Sequence, residues 1–225
     1  MALNLHRAIK PDWEDVPESE RTFIQKVAAK TNGVVTPANI ITASSTVLVL
    51  SGLKDINAGQ MVRGSIKVGL GRLGDLADGE AADRTGTKSP TGAAVDVAAD
   101  YVQLSAALWT LQRRKLIPTH TAVSIGVPRV VNALSTAVAQ LNGAKTYSSS
   151  VGKMSMAEVW GTLGAHVGAA ALEQAGHPEA AEKLGRAAFV AEVVTAFDSG
   201  YASAGYAEHA VASYDTQIEV LEGLH

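Results

Sequence analysis

The sequence predicts an all-α protein, a bundle of six long helices preceded by one amphipathic helix. Two observations lead there. The 225 residues divide into stretches of helix length separated by turn residues or charge clusters. No alternating strand ladder and no internal repeat interrupts them.

Pro17 followed by Glu18 and Glu20 predicts a helix start, because proline tolerates the first turn and acids favour the positive end of a helix. This helix would carry Phe23, Ile24, Val27 and Ala28 on one side and end near Gly33. Such a face suits packing on its own domain or lying on a membrane surface. The six long helices are expected at about 37–54, 57–79, 91–114, 117–142, 153–176 and 179–214. Between them fall Lys54-Asp55, the loop from Thr85 to Pro90, Arg113-Arg114-Lys115 with Pro118, the polar run from Asn142 to Lys153, and Gly176-His177-Pro178.

Composition narrows the function. A net charge of -3, a pI near 6.1 and no basic patch with interleaved aromatics argue against a general nucleic-acid binder. Cysteine is absent, so disulfides, zinc-thiolate sites and thiol nucleophiles are excluded. The first twenty-one residues are mixed in charge and lack the apolar core of a signal peptide.

The chemistry concentrates between positions 75 and 100, in DLADGEAADRTGTKSPTGAAVDVAAD. Asp75 and Asp78 are three apart and Asp96 and Asp100 four apart, so on helices each pair shares one face. Four converging carboxylates make a site for hard cations such as Mg2+ or Mn2+, bound together with a substrate's phosphates. Gly79, directly after Asp78, removes a side chain where a nucleotide would approach.

The same residues resemble the signature of the CDP-alcohol phosphatidyltransferases, D-x-x-D-G-x-x-A-R, eight residues, then G-x-x-x-D-x-x-x-D. Asp75, Asp78, Gly79, Ala82, Gly92, Asp96 and Asp100 match; the family's Arg is replaced by Asp83, with Arg84 one step later. The resemblance implies transfer of a phosphatidyl-type group from a CDP-linked lipid to an alcohol acceptor, with release of CMP. It implies two divalent ions held by Asp75, Asp78 and Asp96 with Asp100 contributing, and Asp100 as general base. Gly79, Ala82, Ser89 and Gly92 would line the nucleotide pocket, and Arg84 or Lys88 would offset the diphosphate charge. It further implies a membrane-embedded homodimer of six transmembrane helices, with residues 1–33 as a juxtamembrane segment, residues 34–225 as the catalytic domain and the active site on the cytoplasmic side.

Hydropathy pulls the other way. The mean is +0.11, and Lys67, Glu158, His166, Glu192 and Asp198 interrupt segments that would cross lipid. Either these groups face the bundle interior or the chain is a soluble version of the fold, natural or engineered, with weak or no catalysis. Another metal-dependent diphosphate enzyme would use the same carboxylate chemistry.

Gly69, Gly71 and Gly74 spell G-x-G-x-x-G, but no alternation of strands and helices follows; close helix packing is the better reading. Gly86-Thr87-Lys88-Ser89 fails the Walker pattern. His120, His166, His177 and His209 show no metal-ligand spacing and read as surface or helix-end residues, and Trp13, Trp109 and Trp160 as packing or interfacial groups. Arg129, alone in the charge-free run around it, faces either solvent or the interior, where it would suit an acceptor's phosphate.

Overall fold

In a computed structural model, residues 10–141 and 150–222 are described, and they contain seven α-helices, one short 3-10 turn at Asp12–Asp15 and no strand. The chain is all-helical. The helices are α1 (Phe23–Lys30), α2 (Pro37–Asn57), α3 (Met61–Thr85), α4 (Pro90–Arg113), α5 (Thr119–Leu141), α6 (Ser150–Gln174) and α7 (Pro178–Glu222). They form two compact units: Ala8–Leu111, with α1 to α3 and nearly all of α4, and a second within Gln112–His225 with α5 to α7. Residues 142–149 of the expected polar connection lie outside the described residues.

Several boundaries differ from the sequence expectation: α6 begins at Ser150 rather than 153, α7 runs to Glu222 rather than 214, and three further differences fall in the first unit. The first helix begins at Phe23 rather than Pro17. Thr22 accepts from the Gln25 N–H at 3.2 Å while the Gln25 side chain accepts from the Thr22 N–H at 3.0 Å, so this reciprocal cap outcompetes proline as a start. Lys54-Asp55 stays helical; the chain turns at Gly59, whose φ of +84° is open to glycine at no steric cost. Gly79 does not end α3, which runs on to Thr85 and stops at Gly86 in the left-handed region. Asp75 and Asp78 therefore sit inside a helix rather than at its end.

In the first unit α2 and α3 pack as a hairpin at backbone distance. A Cβ placed on Gly64 would lie 2.6 Å from the Gly52 carbonyl oxygen, and one on Gly52 would lie 2.7 Å from that of Gly64. Val49, Leu53, Ile56, Leu104, Ala107 and Leu111 fill the core. Lys67 turns inward to Asp55 at 2.6 Å and Ser51 at 2.9 Å.

The second unit combines apolar layers around Ile125, Val159, Leu163 and Ala188 with a buried polar seam. Arg129 donates to Ser155 at 2.7 Å, Ser155 and Ser199 share a hydrogen bond of 2.8 Å, and Thr162 and Thr195 share one of 2.9 Å. Arg129 is buried, which decides its direction in favour of the interior. Glu192 is buried as well. Many large apolar side chains point outward instead, Phe197 with 80 % and Leu76 with 75 % of their surface exposed among them.

Candidate metal centre and nucleotide loop

Helical periodicity places Asp75 and Asp78 on one face of α3, and Asp96 and Asp100 on one face of α4. The α2–α3 hairpin and the α3–α4 turn bring those faces together. One carboxylate oxygen from each of Asp75, Asp78 and Asp96 lies within 4.8 Å of the other two. Three ionised carboxylates this close, half-buried or buried, repel one another. Asp75 Oδ1 is buried and has no hydrogen-bond partner, an acceptor that a cation would satisfy. All-oxygen donors of this kind fit a hard divalent ion.

Neighbouring residues hold the carboxylates in place. Thr42 of α2 donates to Asp78 Oδ2 at 2.5 Å, and Thr42 and Asp78 are both buried. Arg72, one turn before Asp75, links α3 to α4: Nη2 lies 2.9 Å from Asp75 Oδ2, and Nη1 lies 2.9 Å from Asp100 Oδ1 and from Gln103 Oε1. Gln103 in turn donates to Thr46 at 2.9 Å, which ties in α2. Asp100 is thus joined to the cluster through a cation. Thr42 and Gln103 carry no sequence signal for this role; Arg72 does, since the i,i+3 spacing to Asp75 predicts an ion pair.

The α3–α4 turn forms the adjoining loop. Ser89, expected at a nucleotide, caps α4: its Oγ accepts from the Gly92 N–H at 3.0 Å. A side chain on Gly92 would crowd Ser89 Oγ at 3.3 Å and Asn39 Oδ1 at 3.4 Å, so glycine keeps this corner tight. Gly79 is exposed, with nothing within 4 Å of the point a Cβ would occupy, which leaves bare backbone on the α3 surface. The Ala82 carbonyl accepts from the Thr87 N–H at 3.0 Å and closes α3.

Asp83, at the position where the signature has arginine, is ion-paired with Lys88, and Arg84 points to Glu80 at 2.8 Å on the exposed face. The hydrogen bond that the Lys88 ammonium donates to the Asp83 carboxylate holds that ammonium's pKa above its ordinary value. The N-terminal segment docks on the same loop. Asp12 N–H donates to the Lys88 carbonyl at 3.0 Å, the Lys88 N–H donates to Asp12 Oδ2 at 3.1 Å, and Gln25 Nε2 reaches the Gly86 carbonyl at 3.4 Å. Trp13 is buried, in line with a packing role, whereas Trp109 is exposed.

Two further expectations meet the structure here. Gly69, Gly71 and Gly74 lie within α3, not after a strand. Gly71 does serve close packing, since its Cβ would lie 2.6 Å from Val49 Cγ2, whereas Gly69 has nothing within 4 Å. His166 is neither at the surface nor at a helix end: it is in the body of α6 with a side chain only 14 % exposed.

The family model for CDP-alcohol phosphatidyltransferase matches residues 35–197, over two thirds of the chain and including all four aspartates. No curated protein and no solved structure gives a match.

Proposed function

Because the chain belongs to the CDP-alcohol phosphatidyltransferase family, we propose that it catalyses metal-dependent transfer of a phosphatidyl-type group from a CDP-linked lipid to an alcohol acceptor, releasing CMP, in phospholipid biosynthesis. The observation that carries this reading is the convergence of Asp75, Asp78 and Asp96 from two helices within the matched span.

In this reading Asp75, Asp78 and Asp96 hold two Mg2+ or Mn2+ ions, with Asp100 contributing. When bound, these ions supply neutralisation of the diphosphate's developing negative charge. Asp100 takes the proton of the acceptor hydroxyl as its oxygen bonds to the phosphorus that carries the lipid. The phosphorus–oxygen bond to CMP breaks, and CMP leaves with the bonding electrons. Arg72 keeps Asp75 and Asp100 in register, and Thr42 does the same for Asp78. Gly79, Ala82, Ser89 and Gly92 line the nucleotide side through backbone and small side chains. Lys88 and Arg84 are the cations nearest in sequence to the missing arginine. Each is already engaged with an acid, so recruiting either costs an ion pair.

Residues 34–225 form the catalytic domain in this proposal and residues 1–33 its juxtamembrane segment, in a membrane-embedded homodimer with its site on the cytoplasmic side. Among the described residues one helix, Thr119–Ala139, is long and apolar enough by composition to cross a membrane. The distribution of side chains supports embedding of the others. Val47, Leu73, Leu76, Phe189 and Phe197 are exposed, while Asp78, Gln103, Arg129, Asn132 and Glu192 are buried beside the apolar core, an arrangement that suits lipid outside and polar packing within.

Calorimetry of CDP with and without Mn2+, with Asp75→Asn as control, tests the donor site without a choice of acceptor. Metal-dependent binding in the micromolar range, lost in the control, is expected; metal-independent or absent binding refutes the proposal.

A further inference from the structure

The family match begins at residue 35, yet the α3–α4 loop is held at three points by residues that precede it. At the first, Gln25 Nε2 donates to the Gly86 carbonyl at 3.4 Å. At the second, the Asp12 N–H donates to the Lys88 carbonyl at 3.0 Å and the Lys88 N–H donates back to Asp12 Oδ2 at 3.1 Å, so both main-chain polar groups of Lys88 end on one residue. At the third, Trp13 and Ser89, both buried, converge on Gly33. A Cβ at position 33 would collide with Ser89 Oγ and lie 3.1 Å from Trp13 Cη2, and the φ of +77° there would strain any side chain. Asn39 fixes this corner from α2: its Nδ2 donates to the Gly33 and Val34 carbonyls at 2.9 Å each, and its Oδ1 borders Gly92.

We propose that Asp12, Trp13, Gln25 and Gly33 are positioning residues of the donor site, a strap that holds the α3–α4 loop in the shape that receives the nucleotide. The proposal rests on the reading of this loop as the nucleotide side of a CDP site. With Asp83 where the signature has arginine, the loop lacks one cation for the diphosphate, and recognition falls more heavily on Ser89, Gly92 and the main chain between the helices. Contacts of that kind are strong only when the backbone already has its bound shape, because ordering it on binding would consume the affinity they supply. The strap moves that ordering cost from binding to folding. Lys88 couples the parts: its main chain is clasped by Asp12 and its ammonium is paired with Asp83 on α3. Asp75 and Asp78 are held separately, by Arg72 and Thr42, so loosening the strap affects the nucleotide and leaves the metal cluster intact.

The test compares the full chain with Asp12→Ala, which removes the acceptor for the Lys88 N–H, and Asp12→Asn, which keeps an oxygen in its place. Calorimetry measures Mn2+ alone and CDP in the presence of Mn2+, hydrogen–deuterium exchange follows the amides of residues 86–92, and circular dichroism verifies helicity. Asp12→Ala is expected to weaken CDP about 3- to 10-fold, the net worth of one hydrogen bond, to speed exchange in the loop and to leave Mn2+ affinity unchanged. Asp12→Asn restores both the affinity and the protection. Gly33→Ala, which drives a methyl group onto Ser89, repeats the pattern of Asp12→Ala at an independent point. Parental CDP affinity and loop exchange in Asp12→Ala and Gly33→Ala overturn the strap, as does an equal loss of Mn2+ and CDP, which marks a general loosening. Should the parent itself bind no CDP, the donor-site reading fails on that result. Loop exchange then decides the strap alone: faster exchange in Asp12→Ala supports it and unchanged exchange overturns it.

Discussion

Asp100 carries two demands at once. Its Oδ1 accepts from Arg72 at 2.9 Å, yet the proposed chemistry asks the same carboxylate to take a proton. The two are compatible if Arg72 orients the group and the acceptor hydroxyl meets the other oxygen. Asp100→Asn is then expected to lower transfer by about 10²- to 10⁴-fold, the usual worth of a positioned base, while metal-dependent CDP binding stays close to that of the parent; equal turnover would remove Asp100 from the role. Arg72→Gln should lower kcat more than it weakens CDP, and Arg72→Lys should restore part of the loss, because one ammonium can reach one carboxylate but cannot bridge two. At Asp83 the ion pair with Lys88 explains how an acid is accommodated where the family has arginine. Asp83→Arg frees Lys88 and reverses one charge, so CDP should bind more tightly in calorimetry; weaker binding would mean that the Asp83–Lys88 pair holds the loop.

Helix α3 shows what spacing can and cannot say about an element. Its glycines at 69, 71 and 74 look alike in sequence, but Gly71 contacts Val49 and Gly69 faces open space. Gly64, outside any motif, makes the backbone approach to Gly52. Gly64→Val should therefore separate α2 from α3 and cost roughly 1 to 3 kcal/mol, while Gly69→Ala should be neutral or stabilising by up to about 1 kcal/mol. Thermal denaturation of the two variants checks the contrast, and equal melting temperatures would contradict the packing. The end of α3 follows the same logic. Gly79 sits among alanines that sustain a helix, so the chain passes through it; Gly86 is followed by a bond from Thr87 back to Ala82 that satisfies the last turn.

For the whole molecule the central prediction concerns its surroundings. With apolar groups outward and Arg129, Glu192 and the Ser and Thr seam inward, the protein should sediment with membranes and require detergent for extraction. A monodisperse species in buffer without detergent would favour a soluble analogue of the fold. Hydropathy along the sequence is blunted because each long helix mixes outward apolar with inward polar residues, and an average over a window cannot separate the two faces.

The sequence by itself determined the helical class, the main breaks and the aspartate signature, because each rests on short-range chemistry: helix periodicity, turn residues and side chains a turn or less apart. Only the tertiary structure decided that Thr42 holds Asp78, that Arg72 bridges to Asp100 on α4, that Asp83 is neutralised by Lys88, and that Asp12 clasps the main chain of Lys88. A 3.6-residue period relates positions within one helix. It says nothing about the rotation and register of one helix against another, which are set by how glycines, core side chains and buried polar groups pack across the interface.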